Sequence, residues 1–560
     1  MNSRLVQAFR PPSAGAVALV LGGFLIAAQL PAQTPALQQP EREETLRVGI
    51  GIQPDTLEIA QVTNSAVANL LDNVVETLVA VDENGEIVPR LAKSWKTSKD
   101  GREFTFRLPR DVRFQDGTAL DAAAVVWNFD RLNLIVESYA CPVVEVVVFN
   151  IEEVKALSDD TVRFTLTKPL PNFLANLSWI SWGILSPKSA LRPGNELINI
   201  QRPIGTGPYA FATLSEERLQ LTRFEDYRGS KPYYPQLSFE FISDSQAREK
   251  ALRENELDVI LLPSASQLDK LAQSTDYTVQ TASGSRTIYV VLNNGKPPFD
   301  DVRVRRAVNM AVDKKTIIAE LLRGAAKEMD SPLAPGVRGY CPTGSYDYDP
   351  ASARKLLAAA GVESGTPLEL LTPSGRYLED EQAAHRIAGY LGAVGFEVTV
   401  KAADWPTLMG AVYRPAGKVT ADMHLSGWAP TFPEAGWQLP LLYDSAMWPV
   451  GGPATSFYKN PRADELLRAA RDELDPASRD KLFCQASQVI WDDAPKIFLW
   501  VQNFPVAFRK ELTNIVSLPN ERISAAFARP KSAPGAKPQR GDKGRSTGPA
   551  AEVKGSANVP

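Results

Sequence analysis

Residues 91–132 read LAKSWKTSKDGREFTFRLPRDVRFQDGTALDAAAVVWNFDRL. Within them EFTFRL (103–108) alternates polar with apolar side chains, the period of a half-buried strand, and VRFQDG (112–117) follows as the partner arm of a predicted hairpin. Asp121 stands where an N-cap belongs, its carboxylate able to accept from the backbone N–H groups of a first turn, and AAAVVWNFDRL then continues as a helix. The stretch predicts an α+β unit.

Upstream, TLRVGIGI (45–52) reads as an opening strand, and residues 64–78 place Val67, Leu70, Leu71, Val74, Val75 and Leu78 at helical spacing. Asn84-Gly85 marks a tight hairpin turn. NIEEVKALS and TVRFTLTK form a further strand pair that closes the α+β segment near residue 168. Downstream, GTGPY (205–209) opens three alternating stretches, YAFATL, RLQLTRF and LSFEFI, followed by a helix over 245–255 and a strand, DVILL. Asp300 or Asp301 caps a helix carrying Val304, Ala307, Val308, Ala311 and Val312, and Asp313 caps KKTIIAELLRG, which ends on Gly324. Asp349-Pro350 starts a helix stopped by Gly361. LELLT, LEDEQAAHRIAGYLGAVG and FEVTVKAA then form a β-α-β unit. Strands alternating with helices on this scale imply an α/β class with mixed sheets, and no internal repeat is present.

The chain has 560 residues, 44% hydrophobic, 22% charged and 8% aromatic, enough for two to four domain-sized units. A net charge of −4 argues against nucleic acid as a partner, since counterion displacement from phosphate needs a basic surface. Two histidines, His385 and His424, and three cysteines, Cys141, Cys341 and Cys484, none in a CxxC pair, leave little for a histidine-ligated metal, a zinc ribbon or a catalytic triad. No metal and no cofactor is expected. Residues 1–32 read as a cleaved secretory signal: Arg4 and Arg10, an apolar run over 14–28, then small residues; an uncleaved anchor is the alternative. No cysteine in it offers a lipid attachment point. A periplasmic location follows as the expectation, where one internal disulfide is possible, its pairing left open. Residues 531–560 hold six Lys/Arg against two acids and no aromatic residue, the composition of a disordered basic tail.

Catalytic signatures are scarce. Ser352–Lys355 matches SxxK, but without SDN or KTG it reads as the first turn of a capped helix. Arg303, Arg305, Arg306, Lys314 and Lys315 read as a solvated helix face. Asp159-Asp160, Asp300-Asp301 and Asp492-Asp493 sit at turns or helix starts, where capping and the helix dipole favour acids. Four of the ten tryptophans, Trp405, Trp428, Trp437 and Trp448, fall within 44 residues in a Gly/Pro-rich segment. Rings on such a segment suit a ligand surface.

Residues 91–132, together with GTGPY, FEDYRGSKPYY (224–234), DDVRVRRAVNMAVDKKTI (300–317) and YDYDPASARKLLAAAG (346–361), resemble the signature of bacterial extracellular solute-binding proteins of family 5, the peptide/nickel receptors that feed ABC importers. The likeness covers about 45–528. It implies a bilobal periplasmic-binding-protein fold of the large peptide-receptor class (type II), with a hinge: lobe I from 45–74, 195–286 and 505–530, an extra α+β subdomain over 75–194, and lobe III over 287–504. The implied function is capture of a small peptide (dipeptide, oligopeptide or glutathione-like) in the interlobe cleft by a monomer, with delivery to a membrane permease/ATPase complex and no catalysis. A metal chelate, haem, opine or oligosaccharide on the same fold is the alternative. Arg376, in TPSGRYLEDE, matches the arginine that holds the ligand carboxylate in dipeptide members. Thr431 stands where those members have the amine-binding aspartate, a departure for which Glu434 is a candidate replacement. Trp428 and Trp437, with Tyr289 and Asn64, complete the expected cleft residues. The run EAGWQLPLLYDSAMWPVGGPATSFYKNPRADELL resembles the glutathione-receptor branch more than the dipeptide members.

Overall fold

Two long antiparallel strands tie the molecule together: β12 (Tyr277–Leu292) and β17 (Lys496–Arg509). In chain order the other strands are β1 (Thr45–Ile50), β2 (Val79–Val81), β3 (Ile87–Pro89), β4 (Ser94–Thr97), β5 (Glu103–Arg107), β6 (Ile151–Ser158), β7 (Thr161–Leu166), β8 (Tyr209–Leu214), β9 (Arg218–Arg223), β10 (Gln236–Phe241), β11 (Val259–Leu261), β13 (Ala326–Glu328), β14 (Thr366–Pro373), β15 (Phe396–Ala403) and β16 (Met423–Trp428). The structure, a computed structural model, describes residues 44–533 except 63–64, 83–85, 139–143, 145–146 and 431–432. The leader, the Asn84-Gly85 turn, Cys141, Asn64, Thr431 and the tail beyond 533 lie outside the described residues.

The main sheet runs β15-β14-β16-β12-β17-β11-β1-β10-β9-β8, with β13 also on β17. It is mixed, as the α/β reading predicts: β1 pairs in parallel with β10 and β11, β14 in parallel with β15 and β16, while β12 and β17 are antiparallel. The N-terminal half of β12 pairs with the C-terminal half of β17, and the register shifts between Ala282 and Arg286 before pairing resumes. Gly284 sits in that shift. A Cβ there would lie 1.6 Å from the Gln502 carbonyl oxygen, so only glycine lets the two strands stay this close. The lobe boundaries expected at 286/287 and 504/505 therefore fall inside continuous strands rather than in loops.

The cores separate on either side of this crossing. One cluster joins Leu46, Val48, Leu237, Phe239 and Val259 of the first half to Phe106, Phe129, Phe164 and Trp182 of the α+β segment. That segment is the sheet β4-β5-β7-β6 against the helix Ala122–Ser138. Arg131 of this helix makes a bidentate pair with Glu58 at 2.9 and 2.8 Å, both side chains buried, and the same carboxylate accepts from the backbone of Ala60 and Ile200. In the second half, alternate residues of β12 feed two cores. Ile288, Val290 and Leu292 join one; Tyr289 and Val291 join the other on the opposite face. Helices cover both faces.

Several local expectations are corrected. EFTFRL pairs with β4 and β7, not with VRFQDG, because Pro109 follows directly and Val112–Leu120 closes its own loop through Leu120 N–H to the Val112 carbonyl. The helix expected over 64–78 spans only Ser65–Leu71: the Asn73 amide donates to the Asn69 and Leu70 carbonyls and ends it. Asp121, Asp301, Asp313 and Asp349 cap as predicted, although the helix after Asp313 continues as a π-turn over Ile317–Leu321. The basic run is a solvated face only in part: Arg303, Arg306 and Lys315 are exposed, the other two are not. Arg305 donates to the carbonyls of Asp493, Phe299 and Asp300, and Lys314 to that of Tyr346 at 2.9 Å, both side chains buried. Cys341 and Cys484, 143 residues apart, form a disulfide with Cα atoms 5.6 Å apart. Closing so long a loop restricts the unfolded chain by roughly 5 kcal/mol. Among the described residues no helix is long and apolar enough to cross a membrane.

Candidate functional site

The turn after β14 brings the first functional side chain into place. Asp380, at the start of the helix Asp380–Ala393, accepts from the backbone N–H of Gly375, Arg376, Tyr377 and Glu381 at 2.8–3.2 Å, folding Ser374–Tyr377 into a rigid corner. Burial pushes the Asp380 carboxyl up to about 6 against those four donors. Gly375 has φ +76°, and a Cβ on it would lie 2.3 Å from the Ser243 carbonyl oxygen, so the corner seats directly on the first half of the molecule. Ala265 N–H donates to Glu379 at 2.8 Å across the same junction.

This docking delivers Arg376 to Glu521, with Nη1 3.3 Å from Oε2. Arg286, at the register shift of β12, pairs with the other oxygen of Glu521 and donates through Nη2 to Ser65 Oγ at 2.9 Å; Ser65 Oγ donates in turn to Glu521 at 3.0 Å. All four side chains are buried. Burial and the neighbouring Arg286 charge lower the pKa of Arg376 even with Glu521 beside it. Arg286 is buried too, but Glu521 outweighs that cost and its pKa is raised. For Glu521 the two guanidiniums outweigh burial and hold its pKa down. Two cations thus share one carboxylate. Arg376 Nε is buried and finds no acceptor among the described residues.

These arginines form part of the wall of a cavity between the two halves. Ser65 and Trp179 come from the first half. Tyr377, Trp405, Met409, Tyr413, His424, Ser426, Gly427, Trp428 and Thr455 come from the second, with Tyr289 of β12 and Lys496 of β17. Arg376 lies over the rings of Tyr377 (4.9 Å) and Trp405 (5.6 Å), contacts that hold its planar head. Trp428 is fixed by its indole N–H to the Trp437 carbonyl at 2.9 Å. Lys496 places its ammonium 3.8 Å from the ring centre of Tyr289 and 4.3 Å from that of Tyr443. His424 shares a 3.1 Å hydrogen bond with Thr455 Oγ1, and burial together with Lys496 pushes its pKa down to about 3. Among the described residues the wall holds three cationic side chains and no aspartate or glutamate. No group of three or more His, Cys, Asp or Glu is placed to hold a metal ion among them either.

Of the residues named from sequence, Arg376, Trp428 and Tyr289 meet in this wall, joined by Trp405 of the tryptophan cluster. Glu434 does not. Its carboxylate pairs with Arg479 at 3.2 Å, both side chains buried, so it is already neutralised away from the cavity. Trp437 lines a separate apolar depression with Leu170, Leu441 and Phe483. Asn64 and Thr431 lie outside the described residues. Sequence reasoning missed Arg286, Glu521, Lys496 and Tyr377. A signal existed for Arg286 and Lys496: each is a lone cation at the head of an apolar strand run, TIYVVL and IFLWV, where a charge needs a purpose.

Comparison with known proteins agrees with this architecture. The profile described as bacterial extracellular solute-binding proteins, family 5 Middle, matches residues 86–449. The glutathione-binding protein GsiB of Pectobacterium atrosepticum is 28% identical over 485 residues, covering 85% of this chain and 92% of that protein. Among solved structures, the dipeptide-binding protein from Pseudoalteromonas sp. SM9913 in complex with Met-Leu superposes with a TM-score of 0.80 at 26% identity, covering 87% of this chain and 100% of that one. The periplasmic binding protein DppA from Helicobacter pylori, in complex with the peptide STSA, gives 0.78 at 26% identity over 86% and 98%. With a cavity between two α/β halves joined by two long strands, and with a profile match across more than half its length, the chain belongs to the bacterial extracellular solute-binding proteins, family 5.

Proposed function

We propose that the chain is the receptor of an ABC importer, capturing a small peptide between its two halves and handing it unaltered to a membrane permease. The observation that carries this reading is the buried Arg286–Arg376–Glu521 cluster in an aromatic wall. A guanidinium fork with a free donor suits a peptide carboxylate, a charge-assisted contact of roughly 1.5–3 kcal/mol. Rings of Trp405, Trp428 and Tyr377 supply contact area that tolerates different side chains. The names of the relatives, glutathione- and dipeptide-binding, point to the same ligand class.

Binding without turnover is favoured by the weakness of the one histidine in the wall. At a pKa of about 3, His424 is a poor proton acceptor for Thr455, so the pair lacks the base that nucleophilic catalysis needs. Residues 1–32 act as the cleaved export signal with no lipid anchor, the protein works in the periplasm as a monomer, and 286/287 and 504/505 mark where the halves pivot on β12 and β17 as the ligand stabilises closure.

Native mass spectrometry of the purified protein, followed by calorimetry with glutathione and a panel of di- and tripeptides, tests the reading. The expected result is a co-purified or added peptide bound tightly and recovered intact. Recovery of cleaved peptide, or a co-purified solute of another class with no peptide bound, overturns it.

A further inference from the structure

Among the described residues every other buried lysine or arginine has at least one hydrogen-bond acceptor or carboxylate partner. Lys314 donates to the Tyr346 carbonyl at 2.9 Å. Arg248 donates to the carbonyls of Leu261, Ile242, Ser243 and Leu262. Arg305 does the same with three carbonyls. Lys496 breaks the pattern: 2% exposed, it has no hydrogen-bond acceptor and no carboxylate partner among the described residues, only the faces of Tyr289 and Tyr443. A lysine needed for packing alone would be replaced at lower cost by methionine, because an unpaired ammonium loses its hydration on burial. Its position on the cavity wall gives the charge a purpose.

Position along the strands separates it from the arginines. Lys496 stands opposite Val291 and Gln502 stands opposite Arg286, so the two anchors lie five residues apart on β12, roughly 15 Å along a strand. That separation along the strand is of the order of a short extended peptide, which spans at most about 3.3–3.6 Å per residue. With the Glu521 carboxylate set against the two arginines, one positive charge remains at that end; at the other, burial holds the Lys496 pKa well below that of a free lysine, so its ammonium form needs an anion beside it, and no acid in the described wall supplies one. We propose that Lys496 is a second anion anchor, so that the captured solute carries two carboxylates, one held at Arg286–Arg376 and one at Lys496. This rests on the reading of the cavity as the peptide site and narrows it to peptides with more acidic than basic groups.

The test is calorimetry on the full chain and on Lys496→Met, with three probes: glutathione (two carboxylates and an amine), Met-Leu (one carboxylate and an amine) and glutarate (two carboxylates and no amine). The wild type is expected to bind glutathione at least tenfold more tightly than Met-Leu. Lys496→Met is expected to lose at least tenfold for glutathione and markedly less for Met-Leu, with its melting temperature recorded and Lys496→Gln as a second variant should the first not fold. Equal wild-type affinity for glutathione and Met-Leu, or an equal loss of both in the variant, overturns the anchor. Glutarate bound without either peptide keeps the anchor and removes the peptide reading; Met-Leu bound alone does the reverse. Where no probe binds, the solute released from freshly purified protein on denaturation is weighed and titrated: two or more acidic groups support the anchor and fewer overturn it.

Discussion

At Glu58 one carboxylate meets one guanidinium through two parallel hydrogen bonds, and two backbone N–H groups take up its remaining capacity. At Glu521 one carboxylate faces two guanidiniums, with Ser65 as a third partner. Both clusters are buried to a few per cent exposure and both join segments far apart in sequence. Each leaves a buried arginine Nε without an acceptor, so the difference is charge: the first is balanced and in that sense closed, the second carries a surplus cation and is open to an anion. A buried charge is costly unless it is paired, so a surplus one persists where something else neutralises it. In the proposed receptor that something is the solute.

The comparison is most sharply broken at its closed end. Arg131→Met leaves Glu58 buried and uncompensated, and chemical denaturation should show a loss of about 3–5 kcal/mol. Ligand affinity of the remaining folded protein should be unchanged. A loss of affinity with no loss of stability would mean that the closed pair, too, belongs to the binding machinery.

Glu434 and Arg479 form a second closed pair, and they carry the one sequence expectation that chemistry made attractive. Glu434→Gln removes the charge that neutralises Arg479 and should cost about 2–3 kcal/mol. Peptide affinity within twofold of wild type is the expected companion result. A large loss of affinity at unchanged stability would return Glu434 to the ligand.

Acid exposes a third contrast. His424 is held neutral, with a pKa of about 3 against an ordinary 6.5. Because its folded value is lowered, the unfolded chain binds the extra proton first. Stability is complete above pH 6.5 and declines as the pH falls from there towards 3, by about 2 kcal/mol at pH 5. Denaturation curves of wild type and His424→Asn at pH 8 and pH 5 should differ by that amount in their pH dependence. Parallel curves would place the imidazole in a wetter setting than its burial implies.

The features legible in the sequence were those set by local chemistry. The carboxylates of Asp121, Asp301, Asp313 and Asp349 found their N–H partners, and period-2 alternation gave β1, β7, β8, β9 and β10 nearly to the residue. Where a distant segment competes, local pattern fails. EFTFRL took β4 and β7 in place of its neighbour, and Arg305 and Lys314 turned inward because carbonyls from elsewhere in the fold were waiting there. The site follows the same rule. Arg376 was reachable because it lies in a recognisable local segment, whereas Glu521 is 145 residues away from it and Arg286 235 residues from Glu521's own turn of chain, pairings that no linear spacing encodes.

The smallest effect on stability belongs to the open cluster, and it is the most telling. Removing Arg376 from the empty protein takes away a cation whose charge is already disfavoured by burial and by Arg286, and leaves Arg286 and Glu521 as a one-to-one pair. Arg376→Ala should therefore cost little stability, only the packing against Tyr377 and Trp405. Binding should suffer instead: loss of one guanidinium fork predicts at least a tenfold weaker hold on glutathione, about 1.4 kcal/mol. At the Glu58 pair the same kind of change is expected to do the opposite, lowering stability and sparing affinity. Measured side by side, thermal melts and titrations of Arg131→Met and Arg376→Ala give two independent signs. If both variants lose stability alike and neither loses affinity, the excess charge in the cavity is structural and the distinction between the two clusters disappears.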